Sequence, residues 1–252
     1  MISGIITGII LGFVQGLTEF LPVSSSGHLI VARDLFNLSV NNDLLFDVML
    51  HLATVLAIIV YFRLDLKNMI MKPVENKVLW LAIILGTIPA AVFGLFFNDS
   101  VRSSHVVALA LIAGSVLFLI AEKYAKQDRT LTVGKGIEIG IFQALALIPG
   151  VSRSGSTISG GLLLGMKREE AARFSFLLGL PAILGAGLLS FLKSFDVLAS
   201  GSMEASLIMG MIVAFFSGLF AIHYLLKFLK SYKLTVFAWY RIVLAIVILI
   251  SL

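Results

Sequence analysis

The chain has 252 residues, of which 59% are hydrophobic and 13% charged, with a net charge of +5 and no cysteine; its mean hydropathy is +1.06. Soluble domains run near half apolar and a quarter charged, so this balance excludes an ordinary soluble globule and points to a polytopic membrane protein. The missing thiols exclude disulfides and thiolate metal sites, and the basic residues fall in loops, where membrane topology needs them, so the positive balance does not argue for nucleic acid.

Residues 1–36 lack a basic n-region and a small-residue cleavage site, and they are read as retained rather than as a removed signal peptide. The apolar run breaks in the middle at "LPVSSSGH". Its arms are too short for two full crossings and suit a re-entrant hairpin, whose non-helical tip needs protein or a wet cavity around it. Three apolar runs follow, at 45–62, 78–97 and 106–122. Residues 134–166 are broken like the first stretch, at "IPGVSRSGS", and predict a second hairpin. Runs at 170–191, 207–226 and 235–252 complete the chain. Each of the six runs is long enough for a hydrocarbon core of about 30 Å. The predicted fold is an all-α polytopic membrane protein, one membrane domain with six transmembrane helices and two re-entrant helical hairpins.

A shift of 128 residues carries Gly12 onto Gly140, Gln15 onto Gln143, and Val23, Ser24, Ser26 and Gly27 onto Val151, Ser152, Ser154 and Gly155. The same shift pairs Phe46 with Phe174 and Leu50 with Leu178. The chain therefore reads as a duplication, with residues 1–122 as the first repeat and 134–252 as the second. One hairpin plus three spans is an odd number of crossings, so the second copy is expected upside down. Charge agrees: 14 of the 19 Lys and Arg lie in 63–77, 122–135, 167–173 and 227–233. The positive-inside rule puts these four segments in the cytoplasm, both termini outside, and the two hairpin tips face to face within the membrane.

Ionisable groups at membrane depth are costly and are functional candidates. Glu19 lies four residues after Gln15, on the same helix face. His28 follows three hydroxyls, Ser24, Ser25 and Ser26. Those serines could simply satisfy the backbone of a broken helix. Beside an imidazole they could also supply an activated nucleophile. Arg153 sits in the second tip, where its planar fork suits phosphate; Ser152, Ser154, Ser156 and Thr157 with the following helix N-terminus would complete an anion nest. The competing reading of Arg153 is a structural ion pair with Glu19. Arg241 in "FAWYRIV" is a candidate second phosphate clamp, and Asp47 a candidate metal ligand. His51, His105 and His223 read as packing or membrane-edge residues. This set fits a hydrolase acting on a phosphate-bearing lipid. It also fits an inverted-repeat transporter or lipid-carrier flippase that binds such a substrate without cleaving it.

At these residues the sequence resembles the bacterial undecaprenyl-diphosphate phosphatases, the bacitracin-resistance proteins. Gln15-Gly16-Leu17-Thr18-Glu19 with Phe20 to His28 matches one family motif, and Pro149, Gly150, Ser152, Arg153, Ser154 and Thr157 match the other. Gln15 stands where many members carry Glu. The resemblance implies hydrolysis of undecaprenyl diphosphate at the outer face of the bacterial plasma membrane, which recycles the lipid carrier for cell-wall synthesis, with bacitracin competing by binding the substrate. It further implies a divalent cation, magnesium or calcium, for which Glu19 and Asp47 are the candidate ligands, and a homodimer among membrane lipids. The expected roles are Ser25 as nucleophile, His28 moving its proton, and Glu19 orienting His28 or holding the metal. Arg153, Ser152, Ser154, Thr157, Ser24, Ser26, Gln15 and Arg241 would bind substrate. His28 as the nucleophile is the alternative.

Overall fold

The computed structural model describes residues 4–40, 42–96, 103–193 and 205–251. Among these residues there are eleven helices and no strand. They are α1 (Gly4–Phe20), α2 (Ser25–Phe36), α3 (Asp43–Tyr61), α4 (Arg63–Met71), α5 (Lys77–Phe96), α6 (Ser104–Tyr124), α7 (Val133–Leu145), α8 (Arg153–Leu163), α9 (Arg168–Lys193), α10 (Ala205–Leu229) and α11 (Thr235–Ser251).

Five helices are long and apolar enough to cross a membrane: α3, α5, α6, α9 and α10. The sixth expected span, 235–252, is α11, whose 17 residues make about 25 Å at 1.5 Å per residue, just short of the hydrocarbon core. The basic segment 63–77, read from sequence as a loop, contains the short helix α4. Large apolar side chains such as Phe93, Phe96, Phe216 and Trp239 are exposed around the outside, as a lipid-facing surface requires.

Both predicted breaks are real. Helix α1 ends at Phe20 and α2 starts at Ser25; α7 ends at Leu145 and α8 starts at Arg153. The residue before each restart has the same backbone, φ 75° at Ser24 and φ 75° at Ser152. Positive φ is uncommon for a residue with a Cβ, and here each serine gains an N-cap: Ser24 Oγ accepts from Gly27 N and Ser152 Oγ from Gly155 N. The cap satisfies one of the orphan amides of the first turn.

The incoming arms are held by very close helix packing. A Cβ on Gly12 of α1 would lie 2.2 Å from the carbonyl oxygen of Gly210 in α10, and one on Gly140 of α7 would lie 2.1 Å from that of Gly86 in α5. Small residues let membrane helices approach until their backbones touch, which is where apolar lipid leaves packing as the driving force. Between the two arms lies an aromatic core of Phe20, Phe62, Phe118 and Phe176, with Phe20 edge-on to Phe176 at 5.4 Å. The rings fill the centre and bring the C-terminus of α1 against α9.

Candidate active site

The site is built on the two restarted helices. Ser25 is the first residue of α2 and Arg153 the first residue of α8, and both side chains reach Glu19 in the last turn of α1. Arg153 Nη2 donates to Glu19 Oε1 at 2.7 Å. Ser25 Oγ donates to Glu19 Oε2 at 3.0 Å, and Gln15 Nε2, one helical turn back, donates to the same oxygen at 3.1 Å. Two helix N-termini, each with unpaired amides and a positive dipole end, thus converge on one carboxylate. Arg153 also donates from Nη1 to Ser175 O at 3.3 Å. Its guanidinium lies against Gly179 of α9, where a Cβ would come within 2.2 Å of Nη1. Two polar atoms beside the ion pair, Gln15 Oε1 and Arg153 Nε, are buried with no partner.

The remaining hydroxyls of the second tip support this arrangement. Thr157 Oγ1 donates to Arg153 O at 2.8 Å and meets Ser175 Oγ at 2.5 Å. Ser154 Oγ lies 3.4 Å from Ser152 Oγ and donates to Leu21 O at 3.3 Å, tying the second tip to the first. Ser24 Oγ and Ser26 Oγ are 3.2 Å apart, and Ser26 is exposed.

Three expected partners are placed elsewhere. The ring of His28 points away from Glu19: Nδ1 lies 2.8 Å from Ser24 O and Nε2 lies 2.7 Å from the hydroxyl of Tyr240, with the two rings stacked at 5.6 Å. A carbonyl only accepts, so Nδ1 carries the proton and Nε2 accepts from Tyr240. Ser25 and His28 stand three residues apart on α2, yet Ser25 reaches Glu19 of α1 and His28 reaches Tyr240 of α11. Arg241, expected as a phosphate clamp, is fully buried. It donates to the carbonyl oxygens of Pro22, Ala110, Leu111, Gly150 and Val151 and stacks on Phe118 at 4.7 Å. A guanidinium with its fork spent on carbonyls has no donors left for a phosphate. Asp47, expected to help hold a metal, accepts from Arg33 on both oxygens, at 3.1 and 2.6 Å, and braces α2 against α3.

Two side chains near the chemistry were not singled out from sequence. One is Tyr240, which caps His28. The other is His51 of α3, read as a packing residue, whose Nε2 lies 3.6 Å from Glu19 Oε2. The available signal for His51 was its spacing, four residues after Asp47 on one helix face. That spacing says nothing about which helix comes to meet it.

These features define a multi-pass helical membrane protein with a Glu–Ser–Arg centre between two broken helices. The chain matches the family described as bacitracin resistance protein BacA over residues 8–247, and it belongs to that family. It is similar to the undecaprenyl-diphosphatase of Thermodesulfovibrio yellowstonii, with 45% identity over 95% of this chain and 94% of that protein. It is also similar to those of Mycolicibacterium smegmatis, at 43% over 96% and 94%, and Halothermothrix orenii, at 42% over 96% and 96%.

Among the described residues the candidate ligands form no preformed cage for a divalent cation. Calcium takes several protein oxygens, whereas magnesium is usually held by one or two carboxylates with water and substrate phosphates completing its shell. Glu19 spends one oxygen on Arg153 and the other on Gln15 and Ser25, and both oxygens of Asp47 are spent on Arg33. Among the described residues no group of three His, Cys, Asp or Glu could hold a metal.

Proposed function

We propose that this chain hydrolyses undecaprenyl diphosphate to undecaprenyl phosphate and inorganic phosphate, recycling the lipid carrier for cell-wall synthesis. The observation that carries the reading is the Glu19 carboxylate, which bridges the Ser25 hydroxyl and the Arg153 guanidinium at two helix N-termini. A terminal phosphate offers Arg153 a better partner than one carboxylate, because the guanidinium fork matches two phosphate oxygens. As Arg153 turns to the phosphate, Glu19 is left holding the Ser25 hydroxyl and becomes its base. Ser25 Oγ attacks the terminal phosphorus, the bridging P–O bond breaks, and prenyl phosphate leaves with the electron pair. Arg153 and the first-turn amides of α2 and α8 stabilise the charge on the transferring group, the main requirement of phosphoryl transfer. Water then hydrolyses the phosphoserine.

This assigns the nucleophile to Ser25 rather than His28, whose ring nitrogens both have partners outside the cluster. The reading places the centre where α1–α2 and α7–α8 act as re-entrant hairpins among six spans. The 128-residue shift would relate two inverted repeats, with the site open to the outer face of the plasma membrane. The prenyl chain would lie along the exposed apolar helix faces.

The test is phosphate release from a prenyl diphosphate by the purified protein in detergent. Turnover that is lost in Ser25→Ala and in Arg153→Ala supports the reading; binding of the diphosphate without turnover would replace the hydrolase by a carrier. Trapped phosphoenzyme is expected to carry its label on Ser25, and label on His28 would overturn that assignment.

A further inference from the structure

We propose that His51 is the positioning residue through which Glu19 accepts and passes on the Ser25 proton. The inference rests on the hydrolase reading above and adds to it a group no motif contains. His51 Nδ1 lies 2.7 Å from the carbonyl oxygen of Asp47. Because a carbonyl only accepts, Nδ1 carries a proton, and Nε2 is the ring atom turned toward Glu19. Nε2 stands 3.6 Å from Oε2, the same oxygen that accepts from Ser25 Oγ. A lone pair aimed at a carboxylate is repulsive, and the contact turns attractive once the serine proton arrives between Oε2 and Nε2. That distance is not a hydrogen bond, but contacts of this kind in an unliganded site tighten when substrate binds.

The other neighbours of Glu19 cannot serve. Gln15 is a neutral amide with its N–H already given to Oε2, and Arg153 does not give up a proton. The burial pattern supplies a direction: the Glu19 side chain is 7% exposed and that of His51 33%. Glu19 contacts the reacting serine, and His51, the more exposed of the two, is the next group outward.

The proton balance closes. In the first half-reaction the O–P bond from Ser25 forms, the bridging O–P bond breaks, and the serine proton moves to Oε2. His51 Nε2 takes it and releases it to solvent. In the second half-reaction water attacks the phosphoserine and gives one proton to Glu19. The serine–phosphorus bond breaks, Ser25 Oγ recovers that proton from Glu19, and phosphate departs carrying the remaining hydrogen of the water.

Two measurements test this. His51→Ala and His51→Gln should each lower kcat by about 100-fold, the usual range for a lost proton-transfer partner, while KM stays close to the parent value. Added imidazole should restore part of the rate of His51→Ala. A kcat within about threefold of the parent, or a loss seen wholly in KM, would overturn the role. The second measurement needs no turnover and stands if the alanine variant folds poorly. In protein labelled with 15N-histidine, the signal missing from His51→Gln identifies His51. Its Nε2 resonance should move in Glu19→Gln, and an unmoved resonance would overturn the contact. A parent protein that releases no phosphate would instead sink the hydrolase reading.

Discussion

Arg153 depends on a residue with no side chain. Its guanidinium occupies the space that a methyl group on Gly179 would need, 2.2 Å from Nη1. Gly179→Ala therefore pushes the fork off Glu19 without touching either partner. The expected outcome is a drop of roughly 100-fold in kcat/KM, the cost of an ångström-scale misplacement of a catalytic group, with the thermal midpoint little changed. Tyr240 makes a different case. Its hydroxyl covers the only lone pair of the His28 ring, so Tyr240→Phe frees that nitrogen. If His28 is held out of the chemistry by this contact, phosphate release from Tyr240→Phe stays near the parent level while His28→Ala impairs folding more than turnover. A steep loss of turnover in Tyr240→Phe would place the pair inside the mechanism.

At the scale of elements, the two arms are set by glycine contacts that leave no room for a Cβ. Gly12→Ala drives a methyl into the Gly210 carbonyl at 2.2 Å; overpacking of this kind costs about 3 kcal/mol, read as a lowered midpoint in detergent unfolding. Gly134→Ala in α7 is the control, since nothing lies within 4 Å of its Cβ. It should be neutral or slightly stabilising, by the difference in helix propensity of about 1 kcal/mol.

The elements also explain what could be read without a structure. Apolar length and the Pro/Gly/Ser breaks announced the spans and both interrupted helices, because membrane depth allows few other structures. The Glu19–Arg153 pair was legible because two unpartnered charges in apolar surroundings must find each other or a ligand. The fate of Arg241 was not legible. A guanidinium can be satisfied by carbonyls as well as by phosphate, and which carbonyls are free depends on how the breaks at Pro22 and Gly150 are packed. His28 was misplaced for a related reason: standing three residues after Ser25 puts it near that serine on the helix, but does not say whether its ring turns to α1 or to α11, where Tyr240 meets it. The partner of His51 lies on another helix altogether.

For the whole molecule, the absence of cysteine makes topology directly measurable. Single cysteines at Lys72, Lys126 and Lys230, all exposed, should react with an impermeant thiol reagent only from the cytoplasmic side, as the positive-inside rule requires. A cysteine at Ser39, also exposed, should react only from outside. Labelling of Ser39 and Lys126 from the same side would refute the inverted arrangement of the two halves. The buried Glu122 carboxylate offers a second global test. It accepts from Arg168 Nε at 2.9 Å and from the backbone of Leu234 at 2.7 Å, joining α6, α9 and the α10–α11 turn. Glu122→Leu leaves the partly buried Arg168 with only Gln127 Oε1 as a side-chain acceptor and strips the Leu234 N–H of its partner, a loss of about 3 kcal/mol, expressed as reduced yield of folded protein.

Arg241 has a mechanical consequence. One guanidinium holds carbonyls of the first break, Pro22, and of the second, Gly150 and Val151, while α6 supplies Ala110 and Leu111. The break that carries Ser25 and the break that carries Arg153 are thereby riveted to a common post. Neither hairpin can swing away alone without stripping a buried cation of its acceptors. The spacing of the two tips is thus tied to one buried guanidinium. A chain so fastened can grip and cut a headgroup, but rocking one hairpin to carry that headgroup across the bilayer would first require pulling the rivet.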